Sequence, residues 1–350
     1  MAARTLPLSR LIGRTSVAAL AAALVAGGAF TALWLTLPDP APLAKENPRT
    51  TALIEQRRAE ARERRRPFHP RQAWVGLDRM SSRLVQAVLL SEDANFFGHD
   101  GIDWEALRGA AEHDLRVGRF ARGASTLTQQ LAKNLWLGTE KSLWRKVKEA
   151  VLASKLERAA SKKRILAIYL NVVELADGVF GVEAGARNRF GTSAADLSAA
   201  QAVVLASMLP APRRVDLARP SKWLCVRARR LLDRMREAGR IAPDEHLRAS
   251  AELERILAGP APADDGEEPP EDEVAEVAPA PRHPVNVNVN APAPAPAPES
   301  ATPTPTATSI STPTAETVAR EAVHPERSAA DEAARSRRAP TSTATADPPR

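Results

Sequence analysis

The sequence predicts an all-α, mainly helical fold, and three observations carry that prediction. Apolar residues in the middle of the chain recur every third or fourth position. Two of the segments they define open on a capping box, Thr126 with Gln129 and Ser198 with Gln201, and Pro210 closes the second. No run of alternating apolar and polar residues stands out as a strand. At 350 residues the length alone allows one or two domains, and no internal repeat is present. The single cysteine, Cys225, excludes an intrachain disulfide and a cysteine-based metal site; beside Trp223, Leu224 and Val226 it reads as a core residue.

From the N-terminus, residues 1–14 carry Arg4, Arg10 and Arg14, and residues 15–38, TSVAALAAALVAGGAFTALWLTLP, hold no charge at all. At ~1.5 Å per residue this run spans the ~30 Å core of a bilayer. It exceeds the ~7 to 15 apolar residues of a signal peptide and no A-x-A site follows, so a single transmembrane helix is predicted. Lys45, Arg49 and Arg57 follow it, so flanking charge sets its direction only weakly.

Residues 39–73 are expected to be a juxtamembrane linker or helix, whose stretch IEQRRAEARERRRPF stops at Pro67. A folded domain is expected over 74–258. Its helical segments are SSRLVQAVLLSEDANFFG, WEALRGAAEHDLRVG, TLTQQLAKNLWL, KSLWRKVKEAVLASKLERAAS, KKRILAIYLNVVE, SAAQAVVLASMLP and SKWLCVRARRLLDRMREAG. Gly178, Gly181 and Gly185 punctuate a loop; with no strand before them they are not a phosphate-cradling motif. Residues 259–350 are Pro-, Ala- and Thr-rich, hold 18 of the 29 prolines and no aromatic residue, and are expected to be a disordered tail.

Charge divides at the same point. From Pro260 onward there are 15 Asp or Glu against 7 Arg, a net of −8, which leaves +15 of the chain's +7 on the preceding residues. So basic a domain suits nucleic acid, an anionic membrane surface or a phosphorylated substrate, and charge alone does not choose. No aromatic stacking platform or recognition motif supports nucleic acid.

Two carboxylates are misplaced. Val85, Val88 and Leu89 form a helical stripe whose i+7 position is Glu92, toward the end of a helix read as running to Gly98. A core-facing carboxylate near a helix C-terminus is poorly solvated and opposed by the dipole, the setting wanted for a base or acid working near neutral pH. Glu149 lies in line with Leu152 and Leu156, with Arg145 one turn earlier, so a structural ion pair is an alternative there. Lys141, Arg145, Lys146 and Lys148 crowd the start of that helix: a solvated face, or cations that hold phosphates. In GRFARGASTLTQQLAKNLWL, Leu127, Leu131 and Leu135 mark a core face, while Thr126, Gln129, Gln130 and Lys133 follow the opposite one. That helix start is either an ordinary cap or a seat for an anion. Together these features describe a pocket for a general base beside a phosphate-bearing leaving group.

EDANFFGHDG resembles the E-D-x-x-F-x-x-H-x-G motif of the peptidoglycan glycosyltransferases, glycosyltransferase family 51. GASTLTQQLAKN is similar to their G-x-S-T-x-T-Q-Q-x-x-K-N motif, and RKVKEAVLASKLE and KKRILAIYLNVVELADGVFGVEAGA resemble the two blocks that follow. The four motifs come in order over residues 91 to about 220. With no room for a transpeptidase domain in the tail, the resemblance points to the monofunctional biosynthetic enzymes.

The resemblance implies a lysozyme-like glycosyltransferase domain with a small membrane-proximal lobe, and lipid II and the growing glycan strand as substrates. Glu92 would be the base that deprotonates the acceptor GlcNAc 4-hydroxyl. Glu149, with Lys133 and Lys141, would act on the donor side as undecaprenyl pyrophosphate leaves, and Asp93, Phe96, His99, Ser125, Thr126, Gln129, Gln130 and Asn134 would shape the substrate site. Arg145 and Lys146 would support it. Mg²⁺ or Mn²⁺ would accompany the substrate diphosphate, with no organic cofactor. The implied setting is a bacterial inner membrane, with residues 1–14 cytoplasmic and the catalytic domain periplasmic, among cell-wall synthesis or division proteins. Two positions depart from the family pattern, Lys141 for Arg and Arg189 for an aromatic. A lytic, glycan-cleaving enzyme and a non-catalytic membrane scaffold are the competing readings.

Overall fold

The structure, a computed structural model, describes residues 8–118, 123–139 and 142–258, with side chains from Leu20 onward. The expected tail lies outside the described residues, as does Lys141.

In chain order the elements are α1 (Leu8–Thr36), α2 (Ala52–Glu63), β1 (Arg71–Gln72), α3 (Ser82–Glu92), α4 (Trp104–Val117), α5 (Leu127–Ala132), α6 (Leu143–Ala159) and α7 (Lys162–Val172). After them come β2 (Glu174–Ala176), β3 (Val179–Phe180), α8 (Val182–Phe190), α9 (Ala199–Met208), α10 (Lys222–Glu237) and α11 (Pro243–Leu257). Side-chain caps start most of these helices: Thr51, Asp103, Thr126, Ser142, Ser161, Ser198 and Ser221 each accept from a backbone N–H three residues on. Each such cap contributes about 1 kcal/mol. Both expected capping boxes form, at Thr126 with Gln129 and at Ser198 with Gln201.

Helix α9 is the centre of the core. Ala200, Ala202, Val203, Val204, Leu205, Ala206 and Met208 are all buried, because α3, α10 and α11 pack around it. On the other side α5 lies between α6 and α7, with Leu127 and Leu131 fully enclosed. Burying each leucine contributes roughly 1.5–3 kcal/mol, enough to fix a six-residue helix that would not form alone. The ends of α3 and α5 are thereby set against α7 and α10.

The mainly helical expectation holds, with four corrections. A small sheet is present, in the order β1-β3-β2, with β1 parallel and β2 antiparallel to β3. Its strands are two or three residues long, too short to leave an alternating pattern. The loop read at Gly178, Gly181 and Gly185 is the β2–β3 turn followed by α8, and Gly185 lies inside that helix. Gly181 has φ +80°, and a Cβ there would fall 2.6 Å from the carbonyl oxygen of Asn171, so the turn requires glycine. Helix α11 went unread in the sequence. Finally, two helices are shorter than expected. Helix α3 stops at Glu92, because the carboxylate of Asp93 is drawn away to other partners, and a single turn, Phe96–Gly98, replaces the rest. Helix α5 gives way at Lys133 to a widened π turn, Lys133–Leu137, closed by Gly138 N–H donating to Lys133 O at 3.1 Å.

The segment 39–73 is tied to the domain. Leu53 and Ile54 of α2 pack with Phe68 and Phe180, and Arg57 pairs with Glu174 at 2.9 Å. Helix α2 ends in a Schellman turn: Arg66 N–H donates to Ala61 O and Arg65 N–H to Arg62 O, both at 2.9 Å. Arg65 takes the left-handed position, φ +51°, that glycine usually fills, at a cost of about 1 kcal/mol. The end of α1 is also fastened. Lys155 Nζ donates to the carbonyls of Trp34 and Leu37 at 3.1 and 2.8 Å, and Arg158 stacks on the Trp34 ring. Over the residues described with side chains, no helix is long and apolar enough to cross a membrane.

Candidate active site

Glu92 is the last residue of α3, and two other elements, α10 and α5, converge on its carboxylate. From α10, Arg227 Nη2 donates to Oε1 at 3.0 Å, and both side chains are nearly enclosed, 5% and 10% exposed. Ser91 bridges the pair, its hydroxyl donating to Glu92 Oε1 and accepting from Arg227, each at 2.9 Å. From α5, Gln130 Nε2 donates to Oε2 at 3.1 Å. Gln130 is itself oriented by α7, where the Tyr169 hydroxyl donates to its Oε1 at 3.0 Å. Burial, with Glu92 and Asp93 nearby, pushes the Tyr169 phenol well above its ordinary range, so it stays a neutral donor.

Asp93 turns away from Glu92 and fills the start of α5. Its Oδ2 accepts from Leu127 N–H at 2.9 Å, so the anion at this helix N-terminus is the protein's own. His99 Nε2 lies 3.1 Å from both Asp93 oxygens, and its Nδ1 accepts from Gly101 N–H at 3.2 Å. That second bond places the ring proton on Nε2, donating to Asp93. Thr126 closes the loop by donating to Gly101 O at 2.7 Å while it caps α5. Phe96 is buried beneath, edge-on to His99, with Lys162 Nζ 4.4 Å from its ring centroid. It supports the loop from the core side.

Glu149 is held differently. It is 1% exposed on α6, and its partners come from the same helix: Lys146 Nζ at 2.9 Å and Arg145 Nε at 3.4 Å. Lys146 also donates to Ser125 Oγ at 2.9 Å, and Arg145 reaches Gly138 O at 3.5 Å. Ser125 and Thr126 are consecutive, so the Glu149 group and the Glu92 group join through one strand of chain. Asn134 is buried and Lys133 half-buried, both on the π turn. The structural ion pair anticipated between Arg145 and Glu149 is therefore present, and the inward carboxylates, the α5 start and the lysine of α6 belong to one connected constellation.

The chain matches the transglycosylase family model over residues 59–236. This chain belongs to the transglycosylase family. Among its relatives, the biosynthetic peptidoglycan transglycosylase of Herminiimonas arsenicoxydans is 46% identical over 192 residues, 55% of this chain and 83% of the relative. Those of Nitrosospira multiformis and Methylobacillus flagellatus are 43% and 48% identical over 192 and 165 residues, covering 55% and 47% of this chain and 84% and 72% of theirs. This transglycosylase is accordingly an enzyme, and the constellation around Glu92 and Glu149 falls inside the matched span.

Reading the sequence missed Arg227, Ser91 and Tyr169. Arg227 left a signal, since it stands in the apolar stripe of Leu224, Ala228 and Leu231, misplaced in the same way as Glu92. Tyr169, the only tyrosine of the chain, sits among Ile165, Leu166 and Ile168 and reads as core until its hydroxyl partner is seen. The departure at Arg189 is absorbed by carbonyls: its guanidinium donates to Leu175, Pro212 and Val215 oxygens at 3.1–3.4 Å.

A resident metal finds little here. Among the described residues, one trio of ligand atoms, on Asp93, His99 and Asp103, lies within 4.8 Å of one another. Both His99 nitrogens are engaged, and Asp103 accepts from Ala106 N–H and Asn95 Nδ2. With no ring nitrogen to offer, the trio serves the loop.

Proposed function

We propose that this transglycosylase polymerises lipid II into linear peptidoglycan strands by inverting glycosyl transfer. The acceptor GlcNAc 4-hydroxyl gives its proton to Glu92 and attacks C1 of the donor MurNAc. The C1–O bond to phosphate breaks, and undecaprenyl pyrophosphate leaves with the electron pair. The observation that carries this reading is the company Glu92 keeps, a guanidinium at 3.0 Å and an amide at 3.1 Å. Donors match a carboxylate, which can take a proton. A lysozyme-like cleaving enzyme places its proton-giving Glu in an apolar pocket, whereas here a guanidinium and an amide face the Glu92 side chain.

On the donor side, Lys146 and Arg145 hold Glu149, and Lys133 and Lys141 are the further cations that would meet the diphosphate. A Mg²⁺ or Mn²⁺ ion accompanying the diphosphate would offset its growing charge; the residues described supply no separate cage for it. Asp93, His99, Thr126 and Gln129 act as a brace that fixes the start of α5, so that Gln130 meets Glu92 in one geometry.

The same reading places residues 15–38 across the bacterial inner membrane and the catalytic domain in the periplasm. It is supported by the 29-residue length of α1 and by Leu20, Leu24, Val25, Phe30 and Leu35, all exposed along it. A periplasm-dependent phosphatase fused after Ala258 should be active; an inactive fusion in a stably expressed chain contradicts the orientation. For the reaction, the full chain in detergent is given labelled lipid II and Mg²⁺ and the products are resolved on a glycan gel. A ladder of polymer is expected. Intact lipid II with shortening of preformed glycan would establish cleavage instead.

A further inference from the structure

Away from Glu92 and Glu149, a cavity of about 230 Å³ opens between the end of α2 and the β2–β3 turn. Four guanidinium groups line it, Arg57, Arg64, Arg66 and Arg213, against the carboxylates of Glu60 and Asp177. Two of the arginines are spent. Arg57 is bound to Glu174 and Glu60 at 2.9 and 2.7 Å, and Arg213 to Glu60 and Asp177 at 3.1 and 3.3 Å. Arg64 and Arg66 have no carboxylate against them among the described residues, and both face solvent at the rim. They reach the same cavity because the chain makes the Schellman turn between them, with Arg65 held in the left-handed conformation. On the floor Arg57 and Arg213 meet three carboxylates, Glu60, Glu174 and Asp177, which keep its shape, while Arg64 and Arg66 stand at the rim with no carboxylate of their own, so four guanidinium groups face three carboxylates and the surplus charge is positive.

We propose that this cavity is a second anion site, separate from the catalytic constellation, and that it takes a phosphate group. Arginine forks match phosphate oxygens two at a time and keep their charge throughout the physiological range. A phosphate carrying one or two negative charges meets the two unmatched guanidinium groups. The chemistry fits the headgroup of an anionic phospholipid and free phosphate alike. The site also has a physical link to the donor side. Glu60, on the cavity wall, accepts from Gln56 Nε2 at 3.1 Å, and Gln56 Oε1 accepts from Thr139 N–H at 3.0 Å, next to the Gly138 carbonyl that Arg145 meets. The inference does not require the Glu92 mechanism, only the cavity.

The test uses the full chain in detergent micelles, titrated by calorimetry with a soluble short-chain phosphatidylglycerol, with the matching phosphatidylcholine and with inorganic phosphate. Wild type is compared with the double variant Arg64→Gln/Arg66→Gln. Both side chains are exposed, so the fold should persist, and a melting curve and the lipid II assay on the same preparation check it. Phosphatidylglycerol should bind at least tenfold more tightly than phosphatidylcholine, and the double variant should lose that preference. If inorganic phosphate shows the same arginine-dependent binding and phosphatidylglycerol adds nothing, the site serves free phosphate. Equal binding of every probe by wild type and double variant overturns the proposal, whether or not the preparation polymerises lipid II.

Discussion

Glu92 and Glu149 are both buried carboxylates on helices, yet they are held in opposite ways. The partners of Glu92 come from far away in sequence, Arg227 on α10 and Gln130 on α5, with Tyr169 of α7 behind. Those of Glu149 lie three and four residues earlier on its own helix, and one of them, Lys146, is half exposed. Long-range partners lock a group to the core, which on the proposed mechanism holds Glu92 in one position for the acceptor hydroxyl. Local partners can swing without unpacking the helix, which suits the donor-side role proposed for Glu149 beside a large leaving diphosphate.

The contrast can be broken in several ways. The largest effect is expected from Glu92→Gln, which keeps the shape and removes the proton acceptor: polymer formation should fall about 10²–10⁴-fold with the fold intact. Retained activity would show that Glu92 is not the base. Arg227→Met comes next. Leaving a buried carboxylate without its partner costs about 3–5 kcal/mol, readable as a lower denaturation midpoint, and adding Glu92→Gln to it should recover part of that loss. Additive losses would show that the pair is not coupled.

Lys146→Met should be milder, since the lysine is half exposed and Arg145 remains beside Glu149. A loss of about 1 kcal/mol, some fivefold in turnover, is expected with little change in unfolding. An effect as large as that of Arg227→Met would abolish the distinction between local and long-range support.

Tyr169→Phe removes one hydroxyl and should cost about 1 kcal/mol of stability at neutral pH. The folded state raises the phenol above its ordinary value of 10.0, so its contribution is complete below that pH and fades as pH rises past it. Wild type should therefore lose stability in that alkaline range and the Phe variant should lack that part of the decline. Parallel curves would remove Tyr169 from the account.

The same contrast explains what could be read from the sequence. Helical spacing exposes neighbours three and four residues apart, so the Arg145–Glu149 pair, both capping boxes and the stripe containing Glu92 were legible. The bond from Arg227 to Glu92 spans 135 positions, and nothing local specifies it. The early end of α3 was hidden for the same reason, since Asp93 leaves the helix for Leu127 and His99, partners that only the folded chain supplies. The small sheet escaped because strands of two residues have no period.

On the proposed mechanism Glu92 takes the acceptor's proton, which requires its carboxylate form. Infrared difference spectra of wild type against Glu92→Gln, recorded at neutral pH with the side-chain carboxyls isotopically labelled, test it most directly. The variant is expected to lose an ionised carboxylate band. Loss of a protonated carboxyl band instead would make Glu92 an acid and favour cleavage over synthesis.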